Sequence, residues 1–125
     1  MIRYSAQTIN NKDISSIKKV LKSNNLTQGP KVPEFEKRIS KYTKSKFCLA
    51  FNSASSALLA ACSALKLKKK DFIWTSPNTY VATANAIVLN NYKIDFVDIN
   101  LDTYNICLDL LEKKLIQAKK KKILP

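Results

Sequence analysis

The chain has 125 residues, 46% of them apolar and 25% charged, with a formal net charge of +13. This length and apolar content suit globular material forming one domain or part of one, and no apolar run reaches the roughly 20 residues of a transmembrane helix. The absence of histidine and the scatter of the three cysteines (Cys48, Cys62, Cys107) offer no zinc-ligand pattern, so no metal is expected, and they fit buried thiols in a reducing, cytoplasmic setting.

The positive charge points first to nucleic acid, because phosphate neutralisation supplies most non-specific affinity. The lysines, however, gather at element ends: Lys66, Lys68, Lys69 and Lys70, then Lys119 to Lys122. No aromatic residues interleave with them as a stacking platform requires. Solvated loops in a lysine-rich chain account for the charge, and no nucleic-acid partner is expected. No membrane partner is expected either. Arg3, Gln7 and Asn10 interrupt the start where a signal peptide would carry its apolar core.

In chain order, Ile2-Arg3-Tyr4-Ser5 reads as a short extended segment. Ile14, Ile17 and Leu21 recur at helical spacing and predict a helix over about residues 12–22. Asn24 to Pro30 is a turn containing Gly29, the only glycine. A single glycine excludes both a glycine-rich phosphate loop and a dinucleotide fingerprint. Pro33 suits the first turn of a second helix, with Phe35, Ile39 and Tyr42 on its core face.

Phe47 to Phe51 is a continuous apolar run, as expected of a strand buried on both faces of a parallel sheet. Asn52 and Ser53 are good N-caps for a helix marked by Leu58, Cys62 and Leu65. A helix start after such a turn presents unpaired N–H groups and the positive end of the helix dipole, a combination that holds anions. The small side chains of Ser53, Ala54, Ser55 and Ser56 would let a phosphate come close. Taken alone, the stretch is better described as an ordinary capped helix with nothing bound.

Asp71 to Thr75 reads as a strand ended by Pro77. Asn78 or Thr79 is the expected cap of the following helix, with Val81, Ala84 and Val88 on one stripe. Lys93 to Val97 is a further strand and Asp98 to Asn105 a polar connection. Leu108, Leu111 and Leu115 mark another helix, and Ile123-Leu124 looks like the start of one more strand. Strand and helix alternate at least three times, so the expected fold is α/β, a mostly parallel sheet flanked by helices. The stop at Pro125, where a strand is due, is the expected signature of a truncated domain.

Four ordered blocks together resemble the nucleotide-sugar aminotransferases of the DegT/DnrJ/EryC1/StrS family. They are Leu26-Thr27-Gln28-Gly29-Pro30 through Glu36, Asn52-Ser53-Ala54-Ser55-Ser56-Ala57-Leu58, Trp74 through Asn85, and Asp95-Phe96-Val97-Asp98-Ile99 with Thr103-Tyr104-Asn105. Within the family, the first, third and fourth blocks look most like members acting in pseudaminic acid biosynthesis. The resemblance implies a pyridoxal-phosphate enzyme of fold type I. Residues 1–125 would be the N-terminal portion of its large domain, helical over 1–45 and entering the alternating sheet over 46–125.

The same resemblance implies the site. Ala54 and Ser55 would bind the cofactor phosphate, and Tyr80 would lie over the pyridine ring. Tyr4, Asn24, Asn25, Leu26, Thr27 and Ala54 would line the nucleotide-sugar site. The implied reaction moves an amino group from L-glutamate to the 4-keto group of a UDP-linked 6-deoxy-N-acetylhexosamine, in a cytoplasmic homodimer. The Schiff-base lysine and the carboxylate that pairs with the ring nitrogen lie beyond Pro125 in the family pattern. No catalytic residue is therefore expected in this chain, which alone would be inactive. Other readings are another sugar aminotransferase, a sugar dehydratase of the same family (histidine at the lysine position), or a basic binding module.

Overall fold

A computed structural model describes residues 4–68 and 71–125. Ile2 and Arg3 of the expected extended start, and Lys69 and Lys70 of the lysine cluster, lie outside the described residues. The chain forms two compact units, Met1–Ala50 and Phe51–Pro125.

The first unit carries two helices. α1, Asn11–Leu21, begins with a capping box: Asn10 Oδ1 accepts from the N–H groups of Lys12 and Asp13, and Asp13 returns a carboxylate oxygen to the Asn10 N–H. α2, Lys31–Thr43, has Pro33 in its first turn and ends on Lys44 in the left-handed region, at φ 56°. Glu34 bridges Lys31 and Arg38 at 2.7 and 2.6 Å along its exposed side. Ile14, Ile17, Leu21, Phe35 and Tyr42 fall at the expected spacing, yet all are exposed.

The strand expected over Phe47 to Phe51 does not form. Apolarity gives a segment the tendency to enter a sheet, but a strand exists only when a neighbour takes its N–H and C=O groups. Here the Ala50 N–H donates to the Glu36 carboxylate at 2.8 Å instead, and Phe47 and Leu49 are exposed.

The second unit carries α3 (Ala54–Ala64), β1 (Phe72–Thr75), α4 (Val81–Leu89), β2 (Lys93–Phe96) and α5 (Leu108–Lys121). β1 and β2 pair in parallel, Phe72 opposite Lys93 and Thr75 opposite Phe96. The Lys93 N–H bonds to the Asp71 carbonyl and the Val97 N–H to the Thr75 carbonyl, extending the ladder one step at each end. α4 joins the strands and packs on both of them and on α3, the arrangement a βαβ crossover requires. Ala86, Ile87, Val97 and Ala118 are the buried apolar residues among those described.

Three expectations for this unit are corrected. α4 is capped at Tyr80 without a side-chain hydrogen bond. The Thr79 hydroxyl pairs with that of Thr83, 3.0 Å away, and the Thr79 N–H closes a tight turn onto the Pro77 carbonyl. The stripe α4 buries contains Ala86 and Ile87, while Val81 and Val88 are exposed. α4 is apolar nearly all round, so its neighbours rather than its pattern choose the buried face. Ile123-Leu124 forms no strand. Lys122 turns left-handed at φ 56°, and the Ile123 N–H returns to the Ala118 carbonyl at 3.0 Å, closing α5 with a C-terminal cap.

Candidate functional site

The start of α3 is built within five residues. Ser53, extended at φ −156° and ψ 156°, accepts the Ser56 N–H on its Oγ at 3.2 Å, and its carbonyl accepts the Ala57 N–H at 3.1 Å. The Ser56 hydroxyl donates to Asn52 Oδ1 at 2.9 Å, which ties the turn from inside. The N–H groups of Ala54 and Ser55 keep no acceptor among the described residues, and neither does the Ser55 hydroxyl. They are the free donors that a helix start leaves.

A cavity of about 310 Å³ opens between the starts of α3 and α4. Ser55, Ser56 and Leu59 form one wall, and Tyr80, Val81 and Asn85 stand among the residues of the other. Tyr80 is 77% exposed, so one ring face is available to a ligand. The α4 start carries no side-chain cap, and its first N–H groups face the same requirement for an acceptor. Two positive helix ends thus border one cavity, and among the described residues no carboxylate and no lysine lines it. Such a site can bind and orient an anion joined to a flat ring. It holds no side chain able to bond that ring covalently.

The structure brings Ser55 and Tyr80 together on this cavity. Ala54 starts α3 but stands outside the lining. In the first unit, Asn25 and Leu26 line a separate cavity of about 270 Å³ with Lys19, Lys31 and the apolar Val20 and Val32. Tyr4, Asn24 and Thr27 are exposed and do not line it. Sequence reasoning missed Asn85 on the cavity wall and Asn90 behind it. Asn90 donates to the Leu59 carbonyl, 31 positions away; no local pattern marks so distant a partner.

Among the described residues no His, Cys, Asp and Glu group could hold a metal ion. No helix among them is long and apolar enough to cross a membrane.

A family model described as the DegT/DnrJ/EryC1/StrS aminotransferase family matches residues 7–125. A UDP-4-amino-4,6-dideoxy-N-acetyl-beta-L-altrosamine transaminase of Campylobacter jejuni is 43% identical over 117 residues, covering 94% of this chain and 31% of the relative. Helicobacter pylori PseC, an aminotransferase involved in pseudoaminic acid biosynthesis, superposes with a TM-score of 0.83 at 34% identity, over 89% of this chain and 30% of that one. An Escherichia coli GDP-4-keto-6-deoxy-D-mannose-3-dehydratase with bound hydrated PLP reaches a TM-score of 0.84 at 29% identity, over 90% of this chain and 31% of that one. The chain therefore spans about a third of the length of the proteins it matches.

Proposed function

Because the chain belongs to the DegT/DnrJ/EryC1/StrS aminotransferase family, we propose that Phe51–Pro125 supplies one wall of a pyridoxal phosphate site in a nucleotide-sugar aminotransferase. The observation that carries this reading is the shared cavity of Ser55, at the start of α3, and Tyr80, at the start of α4. The residues fit the cofactor. Free N–H groups on Ala54 and Ser55 suit a dianionic phosphate, the Tyr80 ring suits a flat heteroaromatic face, and small side chains at 53–56 keep the approach open.

Bound pyridoxal phosphate supplies the electron sink for amino transfer. The protein's part in this chain is to bind and to orient. Ala54 and Ser55 would hold the phosphate, and Tyr80 would present its ring face to the pyridine ring. The apolar floor of Leu59 and Ala86 limits water at that wall. Among the described residues no lysine lines the cavity; the covalent lysine is proposed to lie outside residues 1–125, in which case these residues alone would not turn over substrate.

The substrate assigned to the whole protein is a UDP-linked 4-keto-6-deoxy-N-acetylhexosamine, with L-glutamate as amino donor, in a cytoplasmic homodimer of pseudaminic acid biosynthesis. The names of the Campylobacter and Helicobacter relatives support the UDP-sugar substrate and the pathway; the donor, the compartment and the dimer rest on the family resemblance. Tyr4, Asn24, Asn25, Leu26, Thr27 and Ala54 are its proposed sugar-nucleotide contacts. A sugar dehydratase is the second reading, favoured by the fold match to the Escherichia coli enzyme. The residue at the lysine position decides between them.

Titration calorimetry with pyridoxine 5′-phosphate, which has no aldehyde to condense with surface lysines, tests the site. Binding should need the phosphate, weaken at least about tenfold in Ser55→Asp, and weaken in Tyr80→Ala by the roughly 0.5–1.5 kcal/mol of a lost aromatic pair. Equal binding of pyridoxine and its phosphate, or indifference to Ser55→Asp, would refute the reading.

A further inference from the structure

We infer that Asn90 is a positioning residue of this site, the pin that sets the register of α3 against α4 and so the place of Ser55 relative to Tyr80. The inference rests on the cofactor reading above and adds to it a residue outside the cavity lining. The Asn90 side-chain amide donates to the Leu59 carbonyl on α3 at 3.1 Å and to the Ala86 carbonyl on α4 at 2.8 Å. Both amide hydrogens are thereby used, and the side chain is held at two points. Leu59 and Ala86 both line the cavity that Ser55 and Tyr80 share, and Leu59 lies one helical turn after Ser55.

No other hydrogen bond joins α3 to α4 among the described residues. The rest of their contact is apolar, and apolar burial has no direction. A slide of one residue along a helix, about 1.5 Å, would leave much of that burial intact. It would break a hydrogen bond, whose distance range is far narrower. At the end of α4 one Asn90 amide hydrogen serves the Ala86 carbonyl, and backbone N–H groups close the carbonyls that follow it. Asn91 closes α4 in the left-handed region at φ 60°, with its N–H on the Val88 carbonyl, and the Tyr92 N–H returns to the Ile87 carbonyl. The second amide hydrogen of Asn90 makes the crossing to the Leu59 carbonyl.

The test compares the 125-residue chain with Asn90→Leu and Asn90→Asp, using pyridoxine 5′-phosphate as probe and amide hydrogen exchange as a second readout. Asn90→Leu should keep its far-ultraviolet circular dichroism and bind about tenfold more weakly, because Ser55 and Tyr80 are then held in the binding register only about a tenth of the time. Asn90→Asp should bind equally weakly at about pH 7.5, where its carboxylate faces two carbonyl oxygens. Relative to the wild type at each pH, it should recover to within about threefold near pH 4, where about half of an ordinary aspartate is protonated and can again donate. A merely structural role would lower the melting temperature without this reversible recovery. Unchanged affinity in Asn90→Leu would overturn the pin. If the wild type itself fails to bind the probe, the cofactor reading fails, and exchange at Leu58–Cys62 judges the pin alone. Exchange about tenfold faster in Asn90→Leu supports it, and unchanged exchange overturns it.

Discussion

The Lys114 ammonium on α5 stands 2.6 Å from the Asp95 carboxylate on β2. It also donates to the Phe96 carbonyl and lies 5.0 Å from the centre of the Trp74 ring on β1. Trp74 and Asp95 are register partners in the parallel pair, so one cation closes α5 onto both strands at once. Lys114→Met keeps the aliphatic stem and removes the charge together with its hydrogen bond to Phe96. It should lower stability by about 1–2 kcal/mol, the sum of a half-exposed ion pair and a cation–π contact. The check is a lower denaturant midpoint with an unchanged slope.

The same pair makes stability depend on acid. The Lys114 hydrogen bond, with a smaller contribution from the Phe96 N–H, holds the Asp95 carboxyl below its ordinary range against the opposing effect of partial burial. A carboxyl depressed in the folded state contributes stability that is full above its unfolded pKa, about 3.9 for Asp, and is lost as pH falls through the lower folded value. Denaturant midpoints measured from neutral pH down to about pH 2 should therefore drop below pH 4, and drop less steeply in Lys114→Met. Glu34 is also depressed, chiefly by its hydrogen bond from Lys31. Lys31→Ala should flatten the corresponding acid response of the first unit.

Ser53 carries the α3 start through one side-chain oxygen, which caps the Ser56 N–H. Ser53→Ala should cost about 1 kcal/mol and Ser53→Asp much less, because aspartate also caps and favours the positive helix end. Thermal melts of the two variants would separate loss of the cap from any general intolerance at the position.

Gly29 is required by space. A methyl group built there would meet the Asn25 carbonyl oxygen at 2.7 Å, and that backbone has no flexible end to yield. Gly29→Ala should destabilise the Asn24–Pro30 turn by about 1–3 kcal/mol, the usual range for overpacking. Accelerated amide exchange over residues 24–30 without change in the second unit would locate the effect.

Several features could be read directly from the residues because their causes lie within four or five positions. The Asn10 capping box, the Ser53 cap and the turn at Gly29 are contained in their own neighbourhoods. The two parallel strands and the helix between them followed from apolar runs and spacing. The free N–H groups at the start of α3 could also be seen there, while the cofactor proposed for them came from the resemblance of four blocks rather than from any one of them.

Other features depend on partners that no local pattern names. The Phe47 to Phe51 run had the composition of a strand and no neighbour to pair with. The buried face of an all-apolar α4 was chosen by α3 and the sheet. The α5 clasp spans 18 positions from Lys114 to Phe96, and the Asn90 pin spans 31. A cap or turn is decided by bonds the chain closes on itself within a few residues. A ladder, a clasp or a helix register is decided only when distant backbone groups arrive together, and so belongs to the tertiary structure.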